Sequence, residues 1–347
     1  MSAAISVTAS ASTAPIGTSR GGRLVQSVRP FGRLLVITAT VFVLSTILTF
    51  ALGALSGANP AAAVLGETAT PADIARMKHE FGLDVPLWQQ YLTWLGNALH
   101  GDLGRSWFTT VPVSDSIRTA LPVDLSIAGL ALVMAVLMGG AAGIAAALSN
   151  GGVVDRTVTL VCSAVATVPP FVIGMMLIVV FSVELGALPS GGYVPLEQDP
   201  VQWLRFAILP AAALSIDAAG SLARQLRTSL VGAMRENYVT GAEMRGFSRR
   251  RVLFGHVLRN ASGPALAVLG MAVPTIIGGA VITEKLFNLP GIAQLALVGA
   301  EQGDVPVILG TLLVTVVVVL IASMVVNAVQ TALNPVSRRA GQPGGSR

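Results

Sequence analysis

Leu125 to Leu148 reads LSIAGLALVMAVLMGGAAGIAAAL, 24 consecutive positions without a charge. At 1.5 Å of rise per residue, a helix of that length crosses a hydrocarbon core about 30 Å thick. Charge-free runs recur at Leu34–Leu55, Thr157–Val183, Ala261–Thr283 and from Val305 into the 330s. A shorter run, Phe206–Ala223, is interrupted by Asp217. Without it the flanking loops would fall on inconsistent faces, so it counts as a span. The expected architecture is an all-α polytopic membrane protein with six transmembrane helices. Composition agrees: of 347 residues, 53% are hydrophobic and only 11% charged, with a mean hydropathy of +0.74. Soluble domains carry about 25% charged residues, so a water-covered globule is excluded. Disorder requires low hydrophobicity and is excluded with it.

Orientation follows from Lys and Arg, which concentrate in cytoplasmic connections. Six helices give alternating loops, and 16 of the 22 cations fall on one side. They lie before the first span, at Arg156, between spans four and five, and at the end. Both termini are therefore expected in the cytoplasm. The net charge of +5 is this topological bias, and no aromatic-basic pattern points to nucleic acid. Residues 1–30, rich in Ser, Ala, Thr and Gly at the start, read as a disordered cytoplasmic tail, and 339–347 as a second tail. The leader before the first apolar run is too long for a cleaved secretory signal.

Small residues at Gly139, Gly140, Gly143 and Ala147 have the spacing that lets helix backbones approach. Prolines at Pro169, Pro170, Pro210, Pro264 and Pro274 interrupt spans three to five. Such breaks either line a water-filled interior path or are kinks that help packing. Asp217 lies in a span, where a carboxylate costs about 2.5–3.5 kcal/mol on insertion scales. It either lines a path or contacts a companion chain, or it is neutralised as structural glue. Asp217, Pro169 and Pro170 are the candidate path residues.

Residues 56–120 form a large outer segment. Thr70-Pro71-Ala72-Asp73 has the N-cap and N1 proline of a helix start. Leu87, Trp88, Tyr91, Leu92, Leu95, Ala98 and Leu99 recur at helical spacing, with Trp88, Tyr91 and Trp94 as expected membrane-surface anchors.

Residues 224–259 carry the most informative polar stretch. Glu236–Met244 is expected to form a short helix, terminated by Gly246 in the left-handed conformation. Ser248 would cap a second helix entering span five. Such a cross-lying element, carrying Tyr238, Val239, Ala242, Met244 and Phe247 among charges, is suited to dock on another protein. The alternative is a solvated basic loop.

Catalytic chemistry finds no support. The two lysines, Lys78 and Lys285, follow Met77 and Glu284, so no Gly-Lys phosphate loop exists. His79-Glu80 lacks a second histidine four residues on, His100 and His256 stand apart, and no Gly-x-Ser-x-Gly elbow occurs. Cys162, the single cysteine, cannot form an intrachain disulfide. No cofactor or metal is implied, and the chain is not expected to be an enzyme.

Gly82-Leu83-Asp84, Pro86-Leu87, Gln90-Tyr91, Trp94-Leu95, Gly101-Asp102-Leu103-Gly104 and Ser106 resemble the segment after the first span in permease subunits of dipeptide and oligopeptide ABC importers. Many relatives have Pro-Gly-Asp-Pro where this chain has Gly57-Ala58-Asn59-Pro60. Tyr238-Val239, Ala242, Arg245-Gly246-Phe247-Ser248, Arg250-Arg251-Val252 and His256 to Ala261 are similar to the EAA-type loop of those permeases. Leu188 to Tyr193 and Glu284 to Ile292 extend the likeness, which covers 31–338. The resemblance implies that the short helix inserts into a groove of an ATP-binding subunit. Tyr238, Ala242, Glu243, Arg245, Gly246, Phe247 and Arg249 would form that docking loop. It further implies a second homologous permease, two ABC ATPases, an external solute-binding protein, surrounding membrane lipid and a place in the bacterial inner membrane. The expected function is half of a translocation pathway for peptides. Nickel chelates, opines or other small solutes are alternative cargoes, and a stand-alone channel or secondary transporter is the alternative from another class.

Overall fold

The computed structural model describes residues 36, 38–53, 59–66, 68–278 and 280–333. The tails expected at 1–30 and 339–347 lie outside them. Two compact units are distinguished, 1–45 and 46–347. The first contributes Val36 and the opening residues of helix α1 (Thr38–Gly53), an apolar helix within the Leu34–Leu55 run. Among the described residues the chain is helical, with one isolated antiparallel bridge between Arg105 and Pro112.

Between α1 and the next long helix lie three short ones, α2 (Pro60–Leu65), α3 (Pro71–Glu80) and α4 (Leu87–Leu99). Asn59 caps α2, its side chain accepting from the Ala62 amide at 3.4 Å. Thr70 and Asp73 form a reciprocal capping box on α3 with Pro71 at N1. Along α4 the apolar stripe divides. Tyr91 pairs its hydroxyl with that of Thr46 at 3.0 Å and meets Phe50 edge-on at 5.4 Å. Trp94 is buried, so it packs inside rather than serving as a surface anchor. Of the three expected anchors only Trp88 stands fully out, 66% exposed.

The core rests on two long helices, α5 (Val113–Ser149) and α8 (Pro200–Ala233). Asp199 starts α8 by accepting from the Val201 and Gln202 amides at 2.9 and 3.0 Å. Close approach of the pair requires glycine. A Cβ at Gly139 would lie 2.5 Å from the Ala219 carbonyl oxygen, and one at Gly143 2.9 Å from that of Ala223. Gly140 faces open space, so the small-residue stripe runs through Gly139, Gly143 and Ala147. Ile127, Ala131 and Ala135 of α5 share a cluster with Ala211, Ala213 and Ala218 of α8.

Between them, α6 (Val153–Val165) and α7 (Pro170–Leu177, continued as a π-helical turn Ile178–Glu184) meet at 104°. The apolar run read as one straight span is thus two helices. Pro169 is extended, at φ −58° and ψ 140°, and Pro170 starts α7. A residue before proline avoids the α region, and proline has no amide hydrogen. Two in succession therefore break the helix, whereas Pro210, Pro264 and Pro274 remain inside theirs.

Helix α9 (Asn237–Met244) follows α8; α10 (Arg249–Val252), a π-helical turn Leu253–Val257 and α11 (Leu258–Gly278) come next. The chain continues through α12 (Ala280–Leu286), α13 (Ile292–Gln302) and α14 (Val305–Leu333). Among the described residues, four helices, starting at Val113, Pro200, Arg250 and Val305, are long and apolar enough to cross a membrane, or five spans if α6 and α7 count as one. Leu137 on α5 and Ile321 on α14 stand exposed with many other large apolar residues. A single soluble chain would not leave so much apolar surface bare.

Candidate functional site

The connection from α8 to α11 is built on one bend. Arg245 ends α9, and Gly246 turns the chain at φ +82°, a left-handed conformation that other residues enter only at a cost. The Gly246 amide then donates to the Glu243 carbonyl at 2.9 Å and the Phe247 amide to that of Ala242 at 3.2 Å. Beyond the bend, Ser248 accepts from the Arg251 amide at 3.4 Å. These are the termination and the cap expected from the sequence, with Glu236 as the N-cap of α9 rather than its first helical residue.

Three-residue spacing places Val239 and Ala242 on one face of α9, both buried. They belong to an apolar cluster with Ala147 of α5, Leu226 and Leu230 of α8, and Leu253 and Val257 of the π-helical turn. Ala242 was expected among the docking contacts; at 3% exposure its methyl is turned to the bundle and holds α9 in place. Outward stand Tyr238, Glu243, Arg245 and Met244, the last 85% exposed. Phe247 is half-buried and has two guanidinium groups near its ring, Arg251 at 4.9 Å and Arg245 at 5.9 Å from the centroid. The Arg245 Nε also donates to the Gly241 carbonyl at 3.0 Å. The side chain of Arg249 lies outside the described residues. Beside α9 is a cavity of about 300 Å³, lined by Asn150, Arg235, Thr240 and Glu243 as well as apolar residues.

A tie that sequence reasoning missed braces this end. Arg227 grips Asp155 with two parallel bonds of 2.9 and 2.7 Å, and the Gly151 amide adds a third at 2.8 Å. The Asp155 side chain is 3% exposed. Arg224 donates to the Cys162 carbonyl at 2.8 Å. Arg224 and Arg227 therefore fasten α6 to α8. Asp155 beside a glycine turn was the available signal.

Asp217 and Pro170 come together, lining a cavity of about 290 Å³ with Ser221 and Thr275. Pro169 sits one residue earlier, at the bend. Asp217 is exposed and has no hydrogen-bond or ion-pair partner among the described residues. At the opposite end of the bundle Ser106 donates to Asp304 at 2.5 Å and accepts from the Thr109 amide at 3.0 Å. This joins the segment before α5 to the start of α14.

Residues 120–339 match the model of the binding-protein-dependent transport system inner membrane component, and 29–128 that of the N-terminal part of such membrane components. A putative peptide transport system permease protein of Brucella abortus is 36% identical over 295 residues, covering 85% of this chain and 94% of the relative. A probable peptide ABC transporter permease protein of Sinorhizobium fredii is 34% identical, covering 87% and 97%. The glutathione transport system permease protein of Escherichia coli is 34% identical, covering 88% and 97%. Among solved structures, the inward-facing MetNI methionine ABC transporter aligns with a TM-score of 0.49 at 14% identity, covering 62% of this chain and 95% of that one.

Proposed function

The chain belongs to the binding-protein-dependent transport system inner membrane components, and from that premise we propose that it is the permease subunit of a peptide importer, driven by ATPases docked on α9. It is a multi-pass protein of the inner membrane and carries out permease work for an ABC importer. The peptide cargo follows from the names of its relatives in Brucella abortus and Sinorhizobium fredii.

Six spans fit best when α1, α5, the bent pair α6–α7, α8, α11 and α14 each cross once. Both termini and the connection 224–259 are then cytoplasmic, as the Lys and Arg distribution favours. The segment 56–120 faces out, within a transmembrane domain of 31–338. Two such chains, this one and a homologous permease, enclose the pathway; two ABC ATPases lie below and a solute-binding protein delivers from outside. Asp217 and Pro170 line this chain's share of the path. An unpartnered carboxylate in a span needs water or a companion, and the cavity it shares with Pro170 supplies room.

The observation that carries the coupling role is the two-faced α9. Its small apolar side seats on the bundle, while Tyr238, Met244 and Arg245 face away, so a push on the outer face reaches α8 and α11 through packed side chains. Reconstitution tests it: ATP-dependent uptake of a peptide is expected from the full assembly with its binding protein, and none from this chain alone. Uptake by the lone chain would establish a channel or secondary transporter instead.

A further inference from the structure

Asp124 of α5 and Glu284 of α12 bring two carboxyls together under the start of α13. The Ile292 amide donates to Asp124 Oδ2 at 2.9 Å, and the Gln294 amide to Glu284 Oε2 at 2.7 Å. A Cβ on Gly291 would collide with both carboxyls, which sets the two side by side. Glu284 is 2% exposed, and its Oε1 has no hydrogen-bond partner among the described residues.

Both acids line a cavity of about 290 Å³ whose other walls are mostly aliphatic, including Leu125, Ile276 and Ile308, with Thr283 and Thr311 nearby. No Lys, Arg or His lines it. Lys285, next in sequence, turns away; its ammonium lies 3.8 Å from Glu301 and it is 65% exposed. Among the described residues the acids of the pair have no cation against them, and a helix N-terminus offsets only about half of one negative charge. A buried charge left without a counter-ion is costly. The remaining demand is for one positive charge.

We infer that this cavity binds a protonated primary amine carrying an apolar substituent, the ammonium on the Glu284–Asp124 pair and the substituent against the aliphatic walls. An ammonium brings three N–H donors, which suit the free Oε1 and the oxygens beside it. A divalent metal is the poorer fit: calcium wants six to eight oxygens, and the described residues contain no group of three or more His, Cys, Asp or Glu placed to hold an ion. A peptide whose first residue is apolar ends in such an amine. Identification of that ligand rests on the peptide-permease reading; the amine site itself does not.

The full chain in lipid nanodiscs, titrated calorimetrically with leucinamide and with N-acetyl-leucinamide, decides. Leucinamide is expected to bind one to one, and the acetylated compound, which has lost the charge, at least tenfold more weakly. Glu284→Gln is expected to weaken leucinamide by a similar factor. Since Glu284 also holds α13, the comparison of the two amides on the unsubstituted chain stands if that variant does not fold. Equal binding of both amides would leave only an apolar cavity, binding of neither would leave the carboxyl pair without an amine ligand, and unchanged binding in a folded Glu284→Gln chain would remove the acid from the site; each overturns the inference. Co-purification of the ATPases with the unsubstituted chain is read in parallel, and its absence would count against the permease reading and not the amine site.

Discussion

The two polar ends of this helical bundle treat charge in opposite ways. At the α8–α11 connection the small apolar residues Val239 and Ala242 turn in, and Glu243, Met244 and Arg245 are left outside. At the α12–α13 turn the carboxyls of Glu284 and Asp124 are drawn inside and met by backbone amides. The first arrangement needs nothing further from the chain and leaves a surface for a partner. The second is complete except for one acceptor oxygen and one charge, which suits a small ligand.

The contrast breaks most sharply at Ala242. Overpacking a filled site costs about 1–3 kcal/mol, enough to unseat an eight-residue helix held by two buried side chains. Ala242→Trp is expected to leave the chain in the membrane fraction and lower ATP-driven uptake at least tenfold. Wild-type uptake in that variant would show that α9 is not seated as described. Next comes Gly291→Ala, where the added methyl meets the two carboxyls. A loss of about 1–3 kcal/mol is expected, measured as a lowered thermal midpoint in detergent. Gly246→Ala is milder. Its φ of +82° is unfavourable for alanine, yet a Cβ there meets nothing within 4 Å, so the loss is about 1–2 kcal/mol of backbone strain. A greater effect at Gly246 than at Gly291 would reverse the ranking of steric over conformational cost.

The smallest effect belongs to a charge pair left in water. His79 Nδ1 lies 2.6 Å from Asp84 on the turn after α3, and both are exposed. The hydrogen bond that the imidazolium donates to Asp84 raises the His79 pKa above its ordinary value, and the same bond lowers that of Asp84 below its ordinary value. The imidazolium's contribution is complete below 6.5 and fades as pH rises through the raised value; the carboxylate's fades as pH falls through the lowered one. Amide exchange at Gly82 and Leu83 is expected to quicken slightly, beyond the intrinsic base-catalysed rise, as pH rises through the raised His79 pKa, and His79→Gln should abolish that extra dependence.

Local features were legible in the sequence because their physics is local. The Thr70 cap, the α4 stripe, the Gly246 bend and the Gly139–Gly143 spacing need only neighbours within one or two turns. Three long-range ties were not: Ser106 with Asp304, Asp155 with Arg227, and Asp124 with Glu284. Each joins residues far apart in sequence, and charge-free runs draw the eye from the acids at their edges. The direction of Ala242 escaped for a related reason. An eight-residue helix with apolar residues on more than one side does not say which face meets the bundle until the bundle is there. Hydropathy likewise sees 157–183 as one run, since the 104° turn at Pro169 and Pro170 changes direction without adding charge.

Site-directed crosslinking to the ATPase subunits tests the two-faced α9 most directly. Cys162→Ala removes the single native thiol and spares the carbonyl to which Arg224 donates. In that background, Met244→Cys is expected to crosslink to an ATPase and Ala242→Cys to remain unreactive. Crosslinking through position 242, or labelling of position 244 only from outside intact cells, would contradict the account.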